Sequence, residues 1–199
     1  MKRTSLIAII VPLSLATAVA LPGRSLAAEP DPANLVGVKA CGICHKKEDS
    51  GNQNGIWQES RHAKAFERLA TPEAKEIAAK LGIDNPQTSG KCLKCHSTAY
   101  YFTETAQTTK IKPEEGVSCE SCHGPGKTYM MKSVMEDAAK SLQAGLLRAT
   151  SETCQRCHND TSPVWKTDRY TTKDGKKVGF DFEQAFDKMK HPDPKVKWP

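Results

Sequence analysis

Eight cysteines in a chain of 199 residues fall into four pairs, Cys41/Cys44, Cys92/Cys95, Cys119/Cys122 and Cys154/Cys157, each with two residues between. The residue after every second cysteine is a histidine: His45, His96, His123 and His158. No cysteine is left over, and histidine occupies only 6 of the 199 positions. Four such coincidences have a chance probability on the order of one in a million. Two thiols at this spacing add to the two vinyl groups on one edge of a haem as thioethers. The next residue then turns its imidazole onto the iron as proximal ligand. Zinc ribbons also use paired Cys-x-x-Cys units but need no histidine after each pair. A thioredoxin-like redox motif would occur once, and four disulfides would not order the histidines in this way. The pattern predicts four covalently attached haem c groups.

Each iron has one further axial position. Six histidines less the four proximal ones leave His62 and His191, so the chain alone completes at most two bis-histidine irons. The other two need methionine, another ligand, a partner's histidine or an open site. Met130, Met131 and Met135 cluster after the third motif and are candidate iron ligands. At helical spacing, methionines also serve as core packing.

The N-terminus explains where such a chain would work. Lys2 and Arg3 precede an apolar run over residues 6–20, and Ser25-Leu26-Ala27 offers small residues for cleavage. Residues 1–28 are expected to be a secretory signal peptide and 29–199 a single exported domain, periplasmic or extracellular. No cysteine stands at the cleavage point for a lipid anchor, and no stable membrane insertion is expected after cleavage. The formal charge of +6 contains no block of five like charges, which argues against a nucleic-acid partner. Removing Lys2, Arg3 and Arg24 lowers it to +3, and four haems with two propionates each bring the oxidised holoprotein to about −1. Hydrophobic residues make up 38%, below the globular norm of roughly 45–50%. At about 43 residues per haem, the macrocycles themselves are expected to build the core.

The elements that must hold these groups are short. The fold expected is mainly α, a multihaem cytochrome c with a haem core, short helices, long loops and little sheet. Periodicity predicts an amphipathic helix over residues 57–70, carrying His62. A second, over 71–82, has Thr71 as N-cap, Pro72 at its first position and Gly82 past its end. Residues 100–111 read as a short hairpin, 127–149 as helical with Gly145 an interruption, and 181–190 as a last short helix before Pro192. Lys173, Lys176 and Lys177 around Asp174-Gly175 read as a solvated face.

Three stretches in this order carry a resemblance: Ser60-Arg61-His62-Ala63-Lys64-Ala65-Phe66, Gly116-Val117-Ser118-Cys119-Glu120-Ser121-Cys122-His123-Gly124-Pro125-Gly126, and Phe180-Asp181-Phe182 leading to His191. Together with four motifs, over residues 38–191, they resemble the cytochrome c-554 family. Its best known member is a periplasmic tetrahaem acceptor for hydroxylamine oxidoreductase. The resemblance implies haems stacked in close pairs, with His62 on the third iron, beside His123, and His191 on the fourth, beside His158. It implies a five-coordinate second haem on Cys92, Cys95 and His96. The family's distal histidine for the first haem follows the third motif. No histidine occurs here between His123 and His158, and Met130, Met131 and Met135 stand in that segment.

These readings point to an electron carrier between redox partner proteins. Two alternatives are a reductase of nitrite, nitric oxide or hydroxylamine at an open iron, and a subunit of a multihaem oligomer or wire. Methionine ligation of the first haem gives a near-infrared charge-transfer band in the oxidised protein; a spectrum without it places another ligand there.

Overall fold

A Cys-x-x-Cys-His segment has its three functional residues at i, i+3 and i+4. One helical turn therefore puts both sulfurs and the imidazole on one face. The computed structural model, which describes residues 30–198, follows that rule. The expected signal peptide lies outside the described residues. Helix α1 (Val38–His45) ends on the first motif. It is followed by α2 (Gln53–Gln58), α3 (Ala65–Arg68), α4 (Pro72–Lys80) and α5 (Gly90–His96), the last ending on the second motif. Helix α6 (Cys119–His123) is the third motif itself. After α7 (Lys132–Met135) and α8 (Ala138–Gln143), helix α9 (Ser151–Gln155) carries Cys154. The N–H groups of Cys157 and His158 continue its turn onto the Cys154 carbonyl, at 3.2 and 3.0 Å. Strands β1 (Tyr170–Thr171) and β2 (Lys177–Val178) pair antiparallel around Asp174-Gly175, and α10 (Phe182–Asp187) follows. The mainly helical class with little sheet is as the sequence predicts.

Several elements differ from expectation, each for a local reason. The helix expected over 57–70 is two helices with a turn between them. The Ser60 hydroxyl accepts from the Ala63 N–H (3.3 Å), the kind of local bond that competes with a helix. The His62 carbonyl accepts from the Val117 N–H (2.9 Å) as well as from Ala65 (3.1 Å). The hairpin expected over 100–111 does not form. Tyr101 and Ile111 instead join Leu35 and Ala99 in a buried cluster, and Tyr101 and Phe102 take left-handed backbone at φ 36° and 68°. The segment 127–149 is interrupted at Asp137, whose side chain caps α8 by accepting from the Lys140 N–H (3.0 Å). Helix α4 keeps its expected punctuation: the Thr71 hydroxyl accepts from the Ala74 N–H (3.3 Å), and Gly82 sits at φ 68°. Asp181 likewise caps α10 through the Gln184 N–H (2.9 Å).

Among the described residues only ten apolar side chains other than proline are buried, five of them alanine or tyrosine. Polar ties between motifs do much of the remaining work. The Thr98 hydroxyl, just past the second motif, accepts from the Ser118 N–H (2.7 Å) and bonds the Ser121 hydroxyl (2.8 Å) at the third. Glu120, between the cysteines of the third motif, is fully buried. Its carboxylate accepts from the N–H groups of Val36 (2.9 Å), Gly37 (2.8 Å) and Gly126 (2.7 Å). Glu115 adds a bond from the Val38 N–H (3.1 Å), so two carboxylates receive the otherwise unpaired donors that open α1.

Glu120→Ala leaves three largely buried N–H groups without an acceptor. At about 1–3 kcal/mol for each unsatisfied donor, the holoprotein should lose at least about 3 kcal/mol in chemical denaturation. A loss below about 1 kcal/mol contradicts this role.

Candidate haem sites

An imidazole that donates from Nδ1 presents its Nε2 lone pair to a metal, so the partner of Nδ1 decides whether a histidine is ready to ligate. His96 Nδ1 donates to the Ala65 carbonyl (2.8 Å), at the start of α3. His123 Nδ1 donates to the Leu147 carbonyl (3.0 Å), and the Leu147 N–H returns a bond to the His123 carbonyl (2.9 Å). His45 Nδ1 faces Gln53 Oε1 at 3.2 Å. His158 is held by ring contact, stacked on Phe180 with centroids 5.7 Å apart and planes 17° from parallel. Burial lowers the proton affinity of both His123 and His158, keeping them neutral as ligation requires.

The two spare histidines each meet one of these rings. His62 lies 6.0 Å from His158, centroid to centroid, and His191 lies 5.8 Å from His123. Burial, with His158 alongside, lowers the His62 pKa to about 4. A metal between two imidazoles, with bonds of about 2 Å on each side, needs ring centroids roughly 6 Å apart. The donor set and both spacings therefore fit bis-histidine haem. The pairing corrects the one implied by resemblance: His62 faces the fourth proximal histidine and His191 the third. The break at Ser60 makes the first pair. It exposes the His62 carbonyl to Val117, and Trp57 Nε1 donates to the Val117 carbonyl (2.8 Å). Gly116, at φ 65°, lies so close that a Cβ there would stand 2.7 Å from the His62 carbonyl oxygen. The 60–66 turn is thus clamped against the chain entering the third motif.

The motifs are also ordered in space. Cys41 lies beside Cys119, and Cys95 beside Cys157. Cys122 is close enough to Cys154 for the two to interact electrostatically, and burial with that neighbour pushes the Cys122 thiol up to about 11. Helices α1 and α6 touch, as do α6 and α9. The chain of neighbours is first, third, fourth, second. All eight cysteines are unpaired by disulfides, as thioether attachment needs.

The motif cysteines differ in exposure. Cys41, Cys92, Cys95, Cys119, Cys122, Cys154 and Cys157 are half-buried, whereas Cys44 is exposed. The first motif meets the others through Cys41, which takes the contact with Cys119. Cys44, three residues on in the last turn of α1, shares its exposure with the adjacent Ile43, which is 68% exposed. Its spacing from Cys41 and His45 still fits thioether attachment.

The structure leaves the methionine cluster mostly at the surface. Met130 is 38% and Met131 62% exposed, and Met135, at the end of α7, is half-buried. Sequence reasoning missed Gln53 and the carbonyls of Ala65 and Leu147. Carbonyls carry no side-chain signature, and Gln53 meets its partners only through the fold.

Short helices ending in Cys-x-x-Cys-His, with second-sphere acceptors and facing imidazoles, define a c-type cytochrome with covalently bound haem. Residues 40–124 match the family model described as cytochrome c554 and c-prime. The chain is 30% identical over 192 residues to "Cytochrome c-554" of Nitrosomonas europaea, an alignment covering 84% of this chain and 77% of that protein. No solved structure matches significantly. The chain belongs to the cytochrome c-554 family.

His62→Ala should turn one low-spin iron per holoprotein into a high-spin, carbon monoxide-binding one. That change should vanish in a Cys154→Ala/Cys157→Ala background, where the fourth haem is not attached. A change that persists there would return His62 to another iron.

Proposed function

We propose that this chain is an exported, periplasmic tetrahaem electron carrier, with haem c attached at Cys41/Cys44, Cys92/Cys95, Cys119/Cys122 and Cys154/Cys157. His45, His96, His123 and His158 are the proximal ligands, His191 completes the third iron and His62 the fourth. Each haem, when bound, supplies a one-electron ferric/ferrous couple. The chain's residues do the rest. Nδ1 acceptors fix three proximal rings, Phe180 fixes the fourth, and the facing histidines hold two irons at constant coordination. Constant coordination keeps reorganisation small, which suits repeated one-electron exchange.

The single observation that carries this reading is the neighbour order of the motifs, first–third–fourth–second, in which α1 packs on α6 and α6 on α9, with Cys41 near Cys119, Cys122 near Cys154 and Cys95 near Cys157. It supports a continuous path with the first and second haems as its ends, where donor and acceptor proteins would exchange electrons. The exposure of Cys44 supports a first haem whose attached edge reaches the surface, as a terminal site requires. No described helix is long and apolar enough to cross a membrane, and nothing in this reading calls for nucleic acid.

One observation favours a second reading. With His62 and His191 both facing other rings, no histidine of this chain is left for the sixth position of the second iron. That iron could bind nitrite, nitric oxide or hydroxylamine. The carrier reading predicts four haems per chain and redox titration in four one-electron steps, without steady-state turnover of those compounds. Turnover at rates matching partner electron exchange would replace the carrier reading with the reductase one.

A further inference from the structure

Gln53 opens α2 and is buried. Its side-chain nitrogen donates to two carbonyls, those of Ser50 and Pro192, the second at 2.8 Å across 139 residues of sequence. A carbonyl oxygen only accepts, so these two bonds fix which end of the amide is nitrogen. The Gln53 oxygen must then face His45 Nδ1, 3.2 Å away. The same contacts therefore place the hydrogen on Nδ1 and leave His45 Nε2 for the first iron.

Pro192 directly follows His191, the residue facing His123. Its ring restricts the backbone, so a bond on the Pro192 carbonyl limits where His191 can go. The same strap meets the loop after the first motif at two further points, of which the exposed ion pair adds little hold. Gly51, at φ 95°, packs so that a Cβ there would stand 2.5 Å from the Pro192 oxygen. Lys195 Nζ pairs with Asp49 at 3.0 Å on the exposed surface.

We propose that Gln53 is a positioning residue shared by two haems: it orients and polarises the proximal histidine of the first, and it anchors the segment that delivers the distal histidine of the third. The proposal rests on the haem assignment above. It makes the potential of the first haem and the ligation of the third answer to one side chain. A stronger acceptor on His45 Nδ1 makes the ring a better donor and stabilises ferric iron. A lost donor at Pro192 frees His191.

The two halves separate in Gln53→Glu, which is isosteric, keeps and strengthens the acceptor, and removes the donor. In the holoprotein the first-haem midpoint potential should move negative. The third iron should gain the high-spin ferric signal and carbon monoxide binding seen in His191→Ala. Gln53→Ala should move the first-haem potential positive while producing the same change at the third iron. Lys195→Ala, which breaks only the exposed ion pair, should move neither. The first haem is identified as the couple missing from Cys41→Ala/Cys44→Ala. Either Gln53 variant leaving the first-haem potential in place, or the third iron fully low-spin, overturns the proposal. Wild-type protein with fewer than four haems by pyridine haemochrome would instead overturn the carrier reading beneath it.

Discussion

A histidine ring has two nitrogens, and an iron can use only the one that carries no hydrogen. In this chain that choice is made largely by acceptors on Nδ1: the carbonyls of Ala65 and Leu147 and the side chain of Gln53. Much of the fold can be read as the means of bringing those acceptors to the motif helices. Helix α3 begins where it does so that Ala65 meets His96. The chain after α8 turns back through Gly145, at φ 99°, so that Leu147 and His123 exchange two bonds. Helix α2 begins on Gln53. Because backbone carbonyls serve as acceptors, the ligand geometry is tied directly to secondary structure, and little apolar core is needed to hold it.

The second constraint is the shortage of histidine. Two spare imidazoles for four Cys-x-x-Cys-His motifs require each to be placed with care, and the chain does so by different means. His62 is delivered by a turn pinned from one side by Trp57 and from beneath by Gly116. His191 is delivered by a strap at the end of the chain, held through the Pro192 carbonyl. Glu120 sits between these arrangements. It joins residues 36–37, which start the first motif helix, to Gly126, which leaves the third. A buried carboxylate with three backbone donors is a directional joint that an apolar residue could not provide.

The four Cys-x-x-Cys-His motifs stand out in the sequence because covalent haem chemistry demands fixed residue types at fixed spacing. Their depth does not: Cys44 carries the same local pattern as the other cysteines, yet among the eight it alone is exposed. The cap of α4 was legible too, where Thr71 acts on a donor three residues away. The break at Ser60 was hidden, since the periodicity around Trp57 and Phe66 continues across it. Only a tertiary bond, from Val117 to the His62 carbonyl, draws the chain away from the helix. The hairpin expected after the second motif failed for a similar reason: Tyr101 and Ile111 gain more by burial beside Leu35 than by pairing at a solvent edge. The pairing of His62 with His158 and His191 with His123 depends on contacts 96 and 68 residues apart in sequence, beyond any local pattern. Family resemblance implied the opposite assignment.

The central claim is that this chain holds four irons of which two, and only two, carry histidine on both faces. Spin quantitation by electron paramagnetic resonance on the oxidised holoprotein, normalised to haem content, tests it most directly. The account predicts two bis-histidine low-spin irons among four haems per chain. Three or four such irons, or none, would contradict it.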